Sequence, residues 1–188
     1  INYPGRIPVE QVYGVDKPRY LGPTIVATED RPVRIKFYNL LPTTANGGDL
    51  FIPVDESVMG AGEGPLTTAG LDCYRDTQDC EKYSQNRATL HLHGGLVPWI
   101  SDGTPHQWTT PAGENTKYPT GVSTEYVPDM WFDDTTGDII PNTTGQTSGI
   151  SNASNNPSGS ANGAGAMTFY YNNQQSARLQ FYHDHAYG

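Results

Sequence analysis

The amino-acid sequence predicts an all-β protein that forms one domain over residues 1–188. This length is enough to bury a hydrophobic core within a single unit. The chain contains 21 Gly and 15 Pro, which interrupt helices, and 12 Tyr, which favour strands. Few segments can therefore hold a long helix, and short strands joined by many turns are the expected architecture.

The first strand is predicted within residues 24–41. Val33, Ile35 and Phe37 alternate there with charged and polar residues, so one face of the strand is expected to be buried. Residues 44–83 are rich in Gly, Asp and Thr, and this composition predicts a long loop.

Further strands are predicted in three places. Residues 88–94, ATLHLHG, form one, residues 123–134 contain part of another, and residues 166–186 contain two more. The segment 135–166 is rich in Gly, Ser, Asn and Thr and predicts a flexible surface loop. This loop carries two N-x-S/T sequons, at Asn142 and Asn152.

Charge and hydrophobicity argue against two kinds of partner. The formal charge is −9, and only 11 Lys and Arg are scattered along the chain, which does not suit nucleic-acid binding. No run approaches the ~20 apolar residues that span a bilayer. The first residue is Ile1 rather than Met, so we expect a removed signal peptide or a cut from a longer chain.

The two cysteines, Cys73 and Cys80, flank the hexapeptide YRDTQD. This spacing favours a disulfide in a surface loop of an exported protein over a pair of free thiols. A thiolate metal site is the weaker interpretation because the C-x-x-C geometry of common zinc sites is absent. We therefore expect a secreted, periplasmic or cell-surface protein.

Four of the five histidines lie in two H-x-H pairs. In the first pair, His91 and His93 are two residues apart and should point to the same side of a strand. Leu90 and Leu92 should then face the core of the domain. An outward-facing histidine pair makes little sense for packing, but it suits ligands that meet a second surface.

The second pair, His183 and His185, falls in line with Leu179 and Phe181. At least partial burial is therefore expected for these histidines unless a bulge intervenes. Imidazole binds Cu, Zn, Fe and Ni, and side chains at this spacing can reach one metal ion or two neighbouring ions. We predict that all four paired histidines converge on one edge of the protein.

Three metal chemistries are candidates for the histidine pairs. A mononuclear zinc enzyme needs a third histidine and an open water position, and His106 can supply that ligand. A cupin-like dioxygenase needs a Glu a few residues after the pair, and none lies between His93 and Asp102. A copper cluster needs more histidines than the four that the two pairs provide.

The motifs HLHGG and SDGTP, followed about 90 residues later by HDH, resemble the N-terminal cupredoxin domain of multicopper oxidases. Residues 21–42, LGPTIVATEDRPVRIKFYNLLP, are similar to the opening strands of that family. The resemblance is to bacterial spore-coat laccases and their bilirubin-oxidase-like relatives, and it covers roughly residues 20–188. It implies a cupredoxin-like Greek-key β-sandwich that lacks its closing strand.

The same resemblance implies a trinuclear copper cluster between the first and last domains of the oxidase. By motif position, His91 would bind the type-2 copper. His93 and His183 would bind one type-3 copper, and His185 the other. The cluster reduces O2 to two waters with four electrons from a type-1 copper elsewhere, where a small-molecule electron donor docks.

The sequence departs from the family pattern at its C-terminal end. The Cys-containing motif that supplies the type-1 ligands and the other four cluster histidines is absent from these 188 residues. We therefore expect this chain to be part of a longer oxidase whose remaining cupredoxin domains complete the site. The chain alone is expected to be inactive.

Asp102 lies in SDGTP, nine positions after His93. The resembling laccases place an acid near the cluster, and reduction of O2 consumes protons, so Asp102 is a candidate proton relay. The alternative is that Asp102 only begins a D-G turn. His106, Trp99 and Trp108 are interpreted as packing or rim residues.

Two rival functions remain open from the sequence. One is a mononuclear metal hydrolase or dioxygenase on a β-sandwich that uses His91, His93 and His106. The other is a non-catalytic exported copper-binding or carbohydrate-binding domain in which the histidine pairs only hold metal.

Overall fold

The structure is a computed structural model that describes residues 21–58, 60–67, 69–73, 79–124, 130–132, 139–140, 153–154 and 165–186. Within these ranges the regular elements are short strands and two 3-10 helices, Thr44–Asn46 and Trp99–Ser101. The strands are β1 (Val33–Tyr38), β2 (Glu63–Thr67), β3 (Cys80–Lys82), β4 (His91–Leu92), β5 (Met130–Phe132), β6 (Ile139–Ile140), β7 (Ala153–Ser154), β8 (Ala166–Tyr171) and β9 (Tyr182–His183). The prediction of an all-β fold is confirmed.

The strands pair into small antiparallel sheets, β1 with β8, β2 with β3, β4 with β9, and β5 between β6 and β7. The longest pairing runs from Val33 opposite Tyr171 to Tyr38 opposite Ala166. β8 and β9 follow one another in the chain but pair with different partners. No helix in the described ranges has the length and apolar character that crossing a membrane requires. The Greek-key connectivity stays a prediction.

One hydrophobic core lies beneath β4 and β9. Its buried residues are Leu90, Met167, Phe169 and Tyr171, and Ile35, Phe37, Leu92, Val97 and Tyr182 pack against them. The apolar face predicted for the first strand is thus the face that contacts this core. Each strand alternates its side chains, so the opposite face of β4 and β9 is left to the histidines.

A second core is aromatic and lies around Trp108, which is fully buried. The Trp108 ring meets Tyr83 edge-on at 4.9 Å, and its Nε1 donates a hydrogen bond to the carbonyl of Tyr118 at 2.8 Å. The Arg87 guanidinium lies 5.0 Å from the centre of the Trp108 ring. Trp108 is a packing residue, as interpreted from the sequence, whereas Trp99 is 61% exposed.

The long segment 44–83 is not a loop throughout. It contains the β2–β3 hairpin, in which Glu63 pairs with Lys82 and Thr67 with Cys80. A disulfide joins Cys73 to Cys80, as predicted. The EGPLT sequence of β2 lacks the alternation that marks a strand, so the hairpin was missed.

The segment 135–166 lies largely outside the described residues, and so do both sequons, at Asn142 and Asn152. Its described parts include β6 and β7, which both pair with β5. β5 itself falls within 123–134, where part of a strand was expected.

Candidate metal centre

The two H-x-H pairs meet because β4 pairs with β9. In the antiparallel register His91 lies opposite His183 and Leu92 opposite Tyr182. The backbone N–H of His93 donates to the carbonyl of Phe181 at 2.9 Å and continues the pairing. Residues directly opposite one another in an antiparallel pair share a face, so histidines from both strands emerge on the same side.

The side-chain directions predicted for the first pair are confirmed. Leu90 is buried and Leu92 packs against the same core. On the other face the side chain of His91 is 16% exposed. His93 is exposed. This pair therefore points away from the hydrophobic core that lies beneath β4 and β9.

The second pair lies on a different face of its strand from the core-facing one that the sequence pattern predicts. His183 and His185 are partly buried, as expected, but Leu179 is 99% exposed and Phe181 is 60% exposed. The core-facing residue of β9 is Tyr182, which packs under β4. The pairing with β4 decides the face, and this pairing is not visible in the local sequence of β9.

All four imidazoles form one cluster, which confirms the predicted convergence. The ring of His91 is central, with centroid distances of 5.7, 5.3 and 4.9 Å to the rings of His93, His183 and His185. The rings of His183 and His185 stack at 5.2 Å. Histidines 90 positions apart in the sequence are thus brought together at one edge.

Possible ligand atoms of His91, His93 and His183 all lie within 4.8 Å of one another. Among the described residues, the third histidine of this group is His183, whereas the mononuclear hypothesis used His106. The Nδ1 of His93 is 3.2 Å from the Nε2 of His183. Two imidazole nitrogens bound to one divalent ion at ~2.0–2.1 Å, at angles between square and tetrahedral, stand ~2.9–3.4 Å apart. The donor set therefore fits a metal ion.

Backbone carbonyls hold two of these rings in place. The Nδ1–H of His91 donates to the carbonyl of Asp102 at 2.5 Å, and the Nδ1–H of His183 donates to the carbonyl of Asp184 at 2.7 Å. A carbonyl can only accept, so a proton lies on Nδ1 in both rings, and in the neutral ring Nε2 is left with the lone pair that a metal ion needs. Such outer contacts are the usual means of orienting a histidine toward a metal.

Asp102 follows the 3-10 helix Trp99–Ser101 and begins a turn. Its N–H donates to Trp99, and the next residue, Gly103, has a φ of +63°. Its carboxylate Oδ1 also lies 3.4 Å from Nδ1 of His91. The structure therefore supports the turn interpretation and also puts the acid beside a histidine, while the proton-relay role stays a prediction.

Sequence reasoning missed two residues that shape the site. Phe181 stacks on His93 with ring centroids 4.5 Å apart and covers one face of that imidazole. The carboxylate of Asp184 accepts hydrogen bonds from Thr89, just before β4, and from Ala186, just after β9. The only local signal for Asp184 was an acid between two histidines.

Comparisons with known proteins find similarity to laccases. No protein-family model matches the chain. A laccase of Bacillus subtilis (strain 168) is 30% identical over 95 residues, which is 50% of this chain and 14% of that protein. A laccase of Bacillus stratosphericus is 30% identical over 87 residues, 46% of this chain and 12% of that protein. The similarity indicates a distant relationship to laccases and spans only a small part of their length.

Proposed function

We propose that this chain is a cupredoxin-like domain, over 1–188, of a laccase-like multicopper oxidase. Its part is to supply four histidine ligands of a trinuclear copper cluster that reduces O2 to water. The observation that carries the proposal is the convergence of both H-x-H pairs on one edge. The similarity to two laccases supports it. When bound, the copper ions would supply electrons to O2.

The ring orientations suggest how the ligands divide between ions. His93 and His183, with nitrogens 3.2 Å apart, would share one type-3 ion. His91 would bind the type-2 ion through Nε2, because Asp102 occupies its Nδ1. His185, stacked on His183, would bind the second type-3 ion. This division agrees with the one that motif position implies.

Asp102 would serve the site in two ways. Its backbone carbonyl orients His91, and its carboxyl group would relay a proton to the place where O2 is reduced. A positioned acid speeds a reaction that consumes protons, typically by ~10²–10⁴-fold. The side chain is 35% exposed, so it can exchange that proton with solvent.

The remaining cupredoxin domains of the same oxidase would complete the cluster and carry the type-1 copper and the donor site. Large apolar side chains remain exposed in the segments that follow His93 and precede His183, and this supports a covering partner. They are Leu96 at 61%, Trp99 at 61%, Leu179 at 99% and Phe181 at 60%. The disulfide Cys73–Cys80 suits a secreted, periplasmic or cell-surface location.

The compact group of His91, His93 and His183 also favours a second candidate, a site that binds a single metal ion. In that case the domain would be a mononuclear enzyme or a copper-holding domain. It differs from the main proposal in the number of metal ions and in its independence from other domains.

The test is to titrate the 188-residue chain with Cu(II) and to follow electron paramagnetic resonance and oxygen uptake on a phenolic donor. We expect nitrogen-coordinated copper and no sustained oxygen uptake, because four histidines leave every ion of the cluster short of ligands. His183→Ala should weaken copper binding, whereas His106→Ala, the matched control, should not. Sustained uptake by the chain alone would overturn the assignment of a shared site. Equal losses in both variants would favour a site that includes His106.

A further inference from the structure

Asp184, between the histidines of the second pair, links the two segments of the site through its side chain. Its Oδ1 accepts a hydrogen bond from the backbone N–H of Thr89 at 2.9 Å. The two residues are 95 positions apart in the sequence. Thr89 lies two residues before His91, so this bond connects the segment leading into β4 with the end of β9.

The hydrogen bond between Thr89 and Asp184 takes the place of a backbone hydrogen bond that the short β4–β9 pairing lacks. The ladder ends at His91 opposite His183, and neither Thr89 nor Leu90 belongs to a strand. The carboxylate of Asp184 therefore takes a backbone N–H that a longer ladder would have paired with a carbonyl. The strands stay in register although the backbone after His183 leaves the sheet.

The same oxygen also accepts from the N–H of Ala186 at 3.2 Å. An aspartate that accepts from the residue two positions later forms an Asx turn, which bends the chain locally. This bend brings His185 to 4.9 Å from His91 and stacks it on His183. The carbonyl of Asp184 meanwhile accepts from Nδ1 of His183.

We propose that Asp184 is a positioning residue of the metal site, which sets the spacing between the two H-x-H pairs and the direction of His185. This inference rests on the proposed function for its metal, but its geometric part concerns the metal-free chain. Outer-sphere partners of metal ligands typically change metal affinity by ~10–100-fold when they are removed. Loss of the carboxylate should therefore weaken copper binding although no ligand is lost.

The experiment compares three substitutions of Asp184 in the 188-residue chain. Asp184→Ala removes both hydrogen bonds, and Asp184→Asn keeps an oxygen at the same place. Asp184→Ser retains the local turn but is too short to reach Thr89, and it serves if the alanine variant does not fold. Asp55→Ala is the matched control, because Asp55 forms the same turn with Ser57 at 3.0 Å in an exposed loop.

Two readouts are needed, one without metal and one with Cu(II). In the metal-free chain, hydrogen exchange of the Thr89 amide should accelerate in Asp184→Ala and Asp184→Ser but not in Asp184→Asn. With Cu(II), affinity should fall ~10–100-fold in Asp184→Ala, together with a changed nitrogen coupling in the resonance spectrum. Asp184→Asn should restore most of the affinity, and Asp55→Ala should match the parent.

The outcomes separate the two proposals. Parent-like copper affinity and spectrum in a folded Asp184→Ala variant would overturn the role of Asp184. A parent chain without nitrogen-bound copper would refute the proposed function instead. In that case the Thr89 amide and the ring contacts of His185 with His91, measured by nuclear Overhauser effects, still decide whether Asp184 positions the histidines.

Discussion

Replacing Gly103 with alanine should weaken metal binding, although Gly103 is not a ligand. Gly103 has a φ of +63°, and a Cβ added there would lie 2.2 Å from the carbonyl oxygen of Leu90. Gly103 follows Asp102, whose carbonyl holds His91 by its Nδ1. A side chain at position 103 therefore pushes the turn away from the strand that carries His91. The Asp102 carbonyl in this turn is the group that orients the His91 ring.

The size of the effect follows from three quantities. A left-handed conformation costs a residue other than glycine ~1–2 kcal/mol. Real Cβ atoms essentially never approach closer than 3.0 Å, so the turn or Leu90 must move by at least 0.8 Å from the 2.2 Å contact. If the shift is directed along the hydrogen bond, the distance from Nδ1 of His91 to the carbonyl oxygen of Asp102 grows from 2.5 Å to ~3.3 Å. This is beyond the usual hydrogen-bond range.

We therefore expect Gly103→Ala to lower the free energy of unfolding by at least ~2 kcal/mol, from the strained φ and the overpacking together. Copper affinity should fall about tenfold or more because His91 loses its orienting partner. Urea denaturation and Cu(II) titration measure the two effects.

Gly113→Ala is the matched control. Gly113 has a φ of +83°, and nothing lies within 4 Å of an added Cβ. It should lose only the ~1–2 kcal/mol of the left-handed conformation and keep its copper affinity. If both variants bind copper like the parent, the turn at Gly103 does not orient His91 and the reasoning is refuted.

Two further predictions concern Asp102 and the disulfide. In the intact oxidase, Asp102→Asn should slow O2 reduction while copper content stays near that of the parent, since the backbone carbonyl remains but the transferable proton is lost; oxygen-uptake rates unchanged across pH would leave Asp102 a turn residue only. Reduction of Cys73–Cys80, whose cysteines are seven positions apart, should lower the free energy of unfolding by about 2 kcal/mol in urea, and an unchanged midpoint would show that the hairpin is held without it.

Much of the fold could be predicted because its strands alternate visibly. Val33 to Phe37 and Leu90 to Leu92 have the period of a strand with one apolar face, and in the structure Ile35, Phe37, Leu90 and Leu92 contact the core. The β2–β3 hairpin lacked such a signal because Gly64 and Pro65 interrupt its pattern. It is held by partners far away in sequence, such as the Tyr118 hydroxyl, which accepts from the N–H of Leu66 at 2.8 Å.

The candidate metal site could likewise be predicted only in part. The spacing of His91 and His93 fixes their common face by strand geometry alone. The direction of His183 depends on its pairing with β4, which sequence periodicity does not reveal, and Phe181 therefore looked like a core residue although it faces outward. The roles of Asp102 and Asp184 depend on long-range contacts, the Asp102 carbonyl with His91 and the Asp184 carboxylate with Thr89, which the local sequence does not reveal.

The contact between His93 and His183 suggests how the metal-free site is held close to its bound geometry. His183 keeps its proton on Nδ1, facing the carbonyl of Asp184, so in the neutral ring Nε2 can only accept. The neighbouring Nδ1 of His93, 3.2 Å away, must then carry the hydrogen that joins the two neutral rings. That separation already equals the spacing of two ligands on one ion. His93 and His183 would hold a metal ion through these two nitrogens in place of the hydrogen, and His93 would then carry its proton on Nε2 while its ring stays packed against Phe181 and His183 keeps its bond to Asp184.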